Sequence, residues 1–462
     1  MATTAPRCRH RYSADMAGGR LLVVAVLAAL CAGGGAQATA RVELVVAVTG
    51  VEVRFPSAAV SWQVSAPATV RIEYGLGEDY GVWSRPTRAR QAGQGRTLVA
   101  GLEPLATYRF RVTARAGRQQ AQATGSFTTG PTLPWTTATT TRNALFLDWQ
   151  PFFPRMVWRQ CPWAYPQSLA AGVNLFMGTG CGDEQAQLDA LAGRAYSVLD
   201  ATRPIDGRGV VGYHLLDEAD IRVPGPDSLP RLPPSKESRR VTFLTLSGHF
   251  FSWAAPPEQG RGIYPGLIDR AEMVGFDLYP LQSWCRKDAL PAVYDAQREL
   301  VRLAAGKPTF QWIEAGQMEF CQGLEPSPAI VRAETWLAIA GGARGVGWFP
   351  SYWKPEVAAE IGRLSREIAS LAPALLGPEV PVVVDGESPV KAGARSYNGA
   401  TYVIAANASF SHVAARIRVP NLRPGRVRVF GEGRTVPVVK GTITDSFRGL
   451  AARVYIAPPA GA

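Results

Sequence analysis

The sequence predicts a multidomain chain whose centre is a (β/α)8 TIM barrel, flanked by a β-sandwich module on its amino side and a smaller β-sandwich on its carboxyl side. Three observations carry this. Over residues 143–377, eight apolar strand-like runs alternate with helical stretches. Over residues 42–130, and again over residues 378–462, short runs instead alternate apolar and polar residues with period 2. With 462 residues, 47% of them hydrophobic, the chain can bury several cores, which excludes a disordered polypeptide.

Residues 1–40 read as an address rather than as structure. Arg7, Arg9, Arg11 and Arg20 precede the apolar run from Leu21 to Ala32, and Ala36-Gln37-Ala38 and Ala38-Thr39-Ala40 follow as small-residue cleavage sequences. The run is too short to cross a bilayer, which takes about 20 residues. A cleaved secretory signal and an extracellular protein are therefore expected. Lipid attachment at Cys31 is disfavoured because bulky Leu30 precedes it. Cleavage leaves Cys161, Cys181, Cys285 and Cys321, an even number in an exported chain, which favours disulfides. Of the three possible pairings, the local one is expected: Cys161 with Cys181 and Cys285 with Cys321. No C-x-x-C spacing supports a zinc site.

In the first module Val60–Val64, Thr69–Tyr74 and Tyr108–Ala114 alternate and are rich in β-branched and aromatic residues. The segment from Gly101 to Tyr108, followed by Arg109-Phe110-Arg111-Val112, resembles the tyrosine corner of fibronectin type III domains, an Ig-like sandwich. That resemblance implies a fold and no activity. Residues 131–142, rich in Thr and Pro, read as a linker. The barrel strands are then expected at Ala144–Gln150, Val173–Gly178, Ala195–Asp200, Val210–Asp217, Val241–Ser247, Met273–Leu281, Pro308–Glu314 and Gly345–Phe349. Helices are expected at Asp183–Gly193, Asp288–Ala305, Pro328–Gly341 and Pro355–Leu371, from apolar residues three and four apart. No glycine-rich phosphate turn follows the first strand, which argues against a doubly wound sheet.

The net charge of +12 comes from 43 Arg and six Lys scattered along the chain, with no basic run and no nucleic-acid motif, so nucleic acid is not an expected partner. His214, His249 and His412 are too few and too dispersed for a histidine-based metallohydrolase, and no G-x-S-x-G elbow is present. No cofactor or metal is expected.

Chemistry in such a barrel sits where the strands end. The fourth strand runs out through His214 into Asp217-Glu218, and the seventh ends at Glu314 on the face of Phe310 and Trp312. Two carboxyls across one pocket are the equipment for glycosidic hydrolysis, one protonating the leaving oxygen and the other attacking the anomeric carbon or activating water. Asp148, His249, Asp277, Tyr279 and Trp348 fall near the same rim and complete, with His214 and Asp217, the expected substrate-binding set.

Glutamates ending strands four and seven, a Tyr after strand six and a Trp in strand eight resemble the clan A retaining glycoside hydrolases. The resemblance implies Glu218 as acid/base, Glu314 as nucleophile, Tyr279 as hydrogen-bond partner of the nucleophile and Trp348 as a subsite wall. That clan places Asn before the acid/base; here Asp217 stands, which accepts from a sugar hydroxyl but does not donate. The expected function is a secreted glycoside hydrolase acting on a poly- or oligosaccharide, with association at the cell envelope. The rival is a noncatalytic carbohydrate-binding or cell-surface interaction protein on a degenerate barrel.

Overall fold

Eight parallel strands close into a barrel in the computed structural model: β1 (Arg155–Gln160), β2 (Leu175–Thr179), β3 (Tyr196–Asp200), β4 (Val210–His214), β5 (Val241–Leu246), β6 (Met273–Asp277), β7 (Thr309–Glu314) and β8 (Val346–Phe349). The structure describes residues 43–132, 137–141, 143–232, 239–252, 262–350 and 352–460, which belong to one compact unit. The expected signal segment, with Cys31, lies outside the described residues. Among the described residues seven α-helices accompany the strands: α1 (Tyr165–Ala170), α2 (Glu184–Leu191), α3 (Ala219–Arg222), α4 (Ile263–Asp269), α5 (Pro291–Leu303), α6 (Pro328–Gly341) and α7 (Pro355–Leu375).

The strands are apolar on both faces because one face meets the helices and the other fills the barrel. Met156, Met177, Phe243, Phe310 and Trp312 pack inside it. Glycines admit the large rings: a Cβ on Gly275 would lie 2.1 Å from Phe310, and one on Gly347 2.1 Å from Trp312. The helix limits follow local chemistry. Asp183 caps α2 by accepting from the Ala186 N–H at 2.7 Å, and Ser327 caps α6 before Pro328.

The expected first barrel strand is corrected. Ala144–Leu147 pairs antiparallel with Ala138–Thr141 and Gln150–Phe152 in a separate three-stranded sheet, and β1 follows it. The end of the expected linker is therefore a strand. The Ala138 N–H donates to Arg239 O just before β5, and Leu145 and Leu147 join the interior cluster. This sheet closes the amino-terminal mouth of the barrel, opposite the rim where chemistry is expected.

The amino-terminal residues form a three-stranded sheet (Val46–Arg54, Ser57–Val64, Gly93–Ala100) and a five-stranded one that contains Ala68–Gly75, Thr107–Ala116 and Gln119–Thr128. Period 2 sends Val70, Ile72, Tyr74, Tyr108, Phe110 and Val112 into the core. The Glu103 N–H donates to the Tyr108 hydroxyl at 2.8 Å, so that hydroxyl does return to the upstream backbone. Arg155, at the start of β1, grips the Glu103 carboxylate through both guanidinium nitrogens at 2.9 Å and donates its Nε–H to Gly172 O. The pair is buried, so it fixes how module and barrel meet; removing one partner would strand the other charge, at a cost of roughly 3–5 kcal/mol.

The carboxyl-terminal residues form one nine-stranded antiparallel sheet folded around its own core of Val403, Ile417, Val429, Ile443 and Tyr455. One continuous hydrogen-bonded path thus takes the place of the two separate sheets of the expected sandwich. It lies against α6, where Gly393 meets Ala340 O so closely that a Cβ would be 2.1 Å away. Arg344, just before β8, holds the end of α7 by donating to Leu375 O and Gly377 O at 2.6 and 3.0 Å.

Candidate active site

The segment after β4 does not leave the barrel at once. The Leu215 N–H donates to Phe243 O and the Thr245 N–H to Leu216 O, which carries Asp217 and Glu218 up to the carboxyl rim. Glu218 then takes a left-handed conformation, φ +46° and ψ +49°, and begins α3. A non-glycine residue held there costs about 1–3 kcal/mol and points to a functional constraint. One turn later Arg222 folds back, its guanidinium 2.5 Å from Glu218 Oε2.

Asp217, Glu218 and Asp277, the last at the end of β6, line one cavity of about 1010 Å³ with His249, Tyr279 and Phe349. Burial, together with the charges of Glu218, Asp217 and Asp220, pushes the Asp277 carboxyl well above the usual carboxylate range. Burial and the neighbouring Glu218 push Asp217 up to about 6, against the pull of Arg222 and Arg159. Three carboxyls in one partly desolvated space cannot all ionise, so the cavity keeps a bound proton at neutral pH.

On one side of this cluster stands a hydrogen-bond chain that the sequence reading missed. Asp220 is fully buried on α3 and accepts from the Ser247 N–H at 2.7 Å, the Ser247 hydroxyl at 2.8 Å and the Tyr264 hydroxyl at 3.1 Å. Because Ser247 donates to Asp220, its oxygen is left to accept from His249 Nδ1 at 2.7 Å. That fixes the ring with its proton on Nδ1, beside the cavity. The only sequence signal was Asp220 two residues after Glu218, a spacing without a motif.

Glu314 ends β7 as expected, is fully buried and does not line the cavity. Its two carboxyl oxygens accept the N–H groups of Leu281 at 2.9 Å and Gln282 at 2.7 Å. Behind it Glu334 of α6 is buried, and as an anion it would face no donor. Burial and the charge of Glu314 push its carboxyl well up, so Glu334 keeps a proton and donates it to Glu314. Burial raises Glu314 too, opposed by those three donors. Glu314 is thus an anchor for the loop after β6, a backbone-capping role that strand-end carboxylates often take. Its hydrogen bonds run to that loop and to Glu334, so the expected pairing with Tyr279 does not form.

Other expected site residues separate likewise. Trp348 faces the helix layer, fully buried, donating its indole N–H to Thr335 Oγ1 at 3.3 Å and meeting the edge of Trp353. Asp148 sits in the turn of the small sheet at the far end of the barrel, accepting from the Thr137 N–H. His214 is buried, bonded to Thr245 Oγ1 at 3.0 Å and edge-on to Trp158; burial lowers it to about 3, so it stays neutral. It lines a side cavity of about 170 Å³ that shares Asp217 and Arg222 with the larger one. Tyr279 does line the main cavity, stacked on Phe349 with centroids 6.0 Å apart, and burial raises its phenol well above the usual value.

Both expected disulfides are present and both join loops at this rim. Cys161–Cys181 links the loops after β1 and β2, and Cys285–Cys321 those after β6 and β7. The second pair is reinforced by buried Gln282, which accepts from Gln317 and Met318 and donates to Leu324 O. Also on the carboxyl rim, Trp163 and Tyr352 stand 67% and 66% exposed with ring centroids 5.6 Å apart. Among the described residues, no group of three His, Cys, Asp or Glu side chains is placed to hold a metal ion. Among them also, no helix is long and apolar enough to cross a membrane.

In sequence, no family model and no curated protein matches the chain. Among solved structures it is similar to a β-D-glucuronidase of Dictyoglomus thermophilum, at 10% identity and a TM-score of 0.35 over 70% of this chain and 68% of that one. It is also similar to a β-glucuronidase from Ruminococcus gnavus in complex with D-glucuronic acid, at 9% identity and a TM-score of 0.36 over 70% and 67%. Likeness at that level assigns nothing to this chain; the barrel rests on its own eight-stranded closure.

Proposed function

We propose that the chain is a glycoside hydrolase acting on a poly- or oligosaccharide, with its chemistry in the Asp217, Glu218 and Asp277 cluster. The observation that carries this reading is the convergence of carboxyls from the ends of β4 and β6 on one large cavity, with Asp277 pushed toward its protonated form. Asp277 would give its proton to the glycosidic oxygen as the bond to the anomeric carbon breaks. Glu218, ion-paired to Arg222, would take the opposing role. If its oxygen attacks the anomeric carbon the configuration is retained, and if it deprotonates water the configuration is inverted. This exchanges the roles expected from sequence: Glu218 passes from acid/base to the opposing carboxylate, and the nucleophile role leaves Glu314. His249 and Tyr279 would bind sugar hydroxyls, and the exposed rings of Trp163 and Tyr352 would stack on further sugar units.

Export belongs to the same proposal, supported by the two disulfides. So does a fibronectin type III-like module at the amino terminus, supported by the Tyr108 contact with Glu103. The noncatalytic carbohydrate-binding reading has one observation in its favour, the sealed position of Glu314. A panel of aryl glycosides and of neutral and acidic polysaccharides, offered to the parent and to Asp277→Asn, separates the two. Sugar release lost in the variant supports hydrolysis; binding without release by either protein supports the rival. The anomer first released, read by proton NMR, gives the stereochemical course.

A further inference from the structure

A second cavity, of about 700 Å³, opens between the five-stranded amino-terminal sheet and the carboxyl-terminal sheet. Its wall is the polar half of the period-2 pattern whose apolar half fills the module core. On Ala68–Gly75 the wall residues are Thr69, Arg71 and Glu73; opposite them in register on Thr107–Ala116 stand Arg115, Thr113 and Arg111. Arg88, Arg426 and Arg428 complete it.

Six guanidiniums thus surround a single carboxylate, Glu73. Glu73 is already shared by Arg111 at 2.5 Å and Arg428 at 2.9 Å, so it offsets little of the charge. Arg71 donates to Asn398 O and Arg426 to Thr435. For the side chains of Arg88 and Arg115 no hydrogen bond or ion pair is found among the described residues, and the Nε of Arg115 is buried without a partner. Cations gathered in a cleft with so little internal compensation select an anion.

We infer that this cleft binds an anionic polysaccharide, a chain carrying repeated carboxylate or sulfate groups. Arg111 and Arg115 are four residues apart on one strand, which spreads the charge over roughly 13 Å and suits an extended polymer better than a lone phosphate. The interleaved Thr69, Thr113, Gln120 and Gln122 offer hydrogen bonds to hydroxyls. Nucleic-acid bases would need open aromatic platforms, and the cleft's one large ring, Trp83, is 9% exposed with the Arg428 guanidinium over it. This site shares no residue with the barrel cavity and stands or falls independently of the hydrolase reading.

The test is equilibrium binding of the full chain to polygalacturonate, heparin, dextran and single-stranded DNA across a salt series. Arg88→Ser/Arg115→Ser removes the two unpaired cations. Arg208→Ser/Arg423→Ser removes the same charge from two exposed sites elsewhere. The expected result is salt-sensitive binding to polygalacturonate or heparin, none to dextran, a loss of about tenfold or more in the cleft variant and no loss in the control. Preference between the two acidic chains tells whether carboxylate or sulfate is the matched group. Equal losses in both variants, absence of binding by the parent, or tighter binding of DNA that the cleft variant loses would each overturn the inference.

Discussion

Two glutamates end strands of the same barrel at the same rim, and their surroundings make opposite things of them. Glu218 stands in a left-handed turn at the cavity with one exposed guanidinium as partner. Glu314 is sealed, with two backbone donors and a protonated carboxyl around it. Residue type and strand position are equal; the difference is what the following segment does. After β4 the chain turns into a helix of four residues that leaves Glu218 uncovered. After β6 the loop folds back over the end of β7 and offers Glu314 its N–H groups. A carboxylate at a strand end is thus a site or a staple according to the loop that meets it.

The comparison can be broken most strongly from the cavity side. Asp277→Asn keeps the shape and removes the proton, and it should lower kcat by about a thousandfold while leaving the urea midpoint nearly unchanged. On the other side, Glu314→Gln should be a stability variant. An amide in that place turns an NH2 toward a backbone donor, so urea titration should show a loss of about 1–3 kcal/mol. Sugar release at saturating substrate should stay within about tenfold of the parent. Trp163→Ala and Tyr352→Ala should raise KM several-fold on polymeric substrate and hardly at all on small aryl glycosides, since each ring offers roughly 1 kcal/mol of stacking.

The smallest expected effect is in the pH dependence of stability. Asp217 rises from 3.8 to about 6 on folding, so between those values the folded chain holds a proton that the unfolded chain has lost. Stability should therefore fall as pH climbs from about 4 to about 6, and Asp217→Asn should remove that part of the slope. A slope that survives the substitution would assign the titration to another group, Asp277 first.

Much of this was legible in the sequence. Seven of the eight barrel strands lie where apolar runs predict them, and Pro328–Gly341 is a helix over its predicted length. Both disulfide pairs follow from local spacing. The first strand was misread because Ala144–Leu147 is as apolar and as short as a barrel strand; only its antiparallel partners distinguish it. Within the site, Asp217, Glu218, His249, Asp277 and Tyr279 line the cavity at the strand ends where counting puts them. Glu314, Trp348 and His214 do not line it, for one reason. Period 2 says which side of a strand a residue leaves from, and says nothing of the loop or helix that covers it. Asp220 and Ser247 escaped because their partnership joins α3 to the end of β5 across 27 positions of sequence.

The most direct measurement is sugar release by Glu218→Gln and Glu314→Gln side by side, on the best substrate of the panel, with circular dichroism confirming that both fold. Loss of a thousandfold or more in Glu218→Gln, with Glu314→Gln within about tenfold of the parent, is the predicted result. A folded Glu314→Gln as inactive as Glu218→Gln would contradict it and return the nucleophile to strand seven.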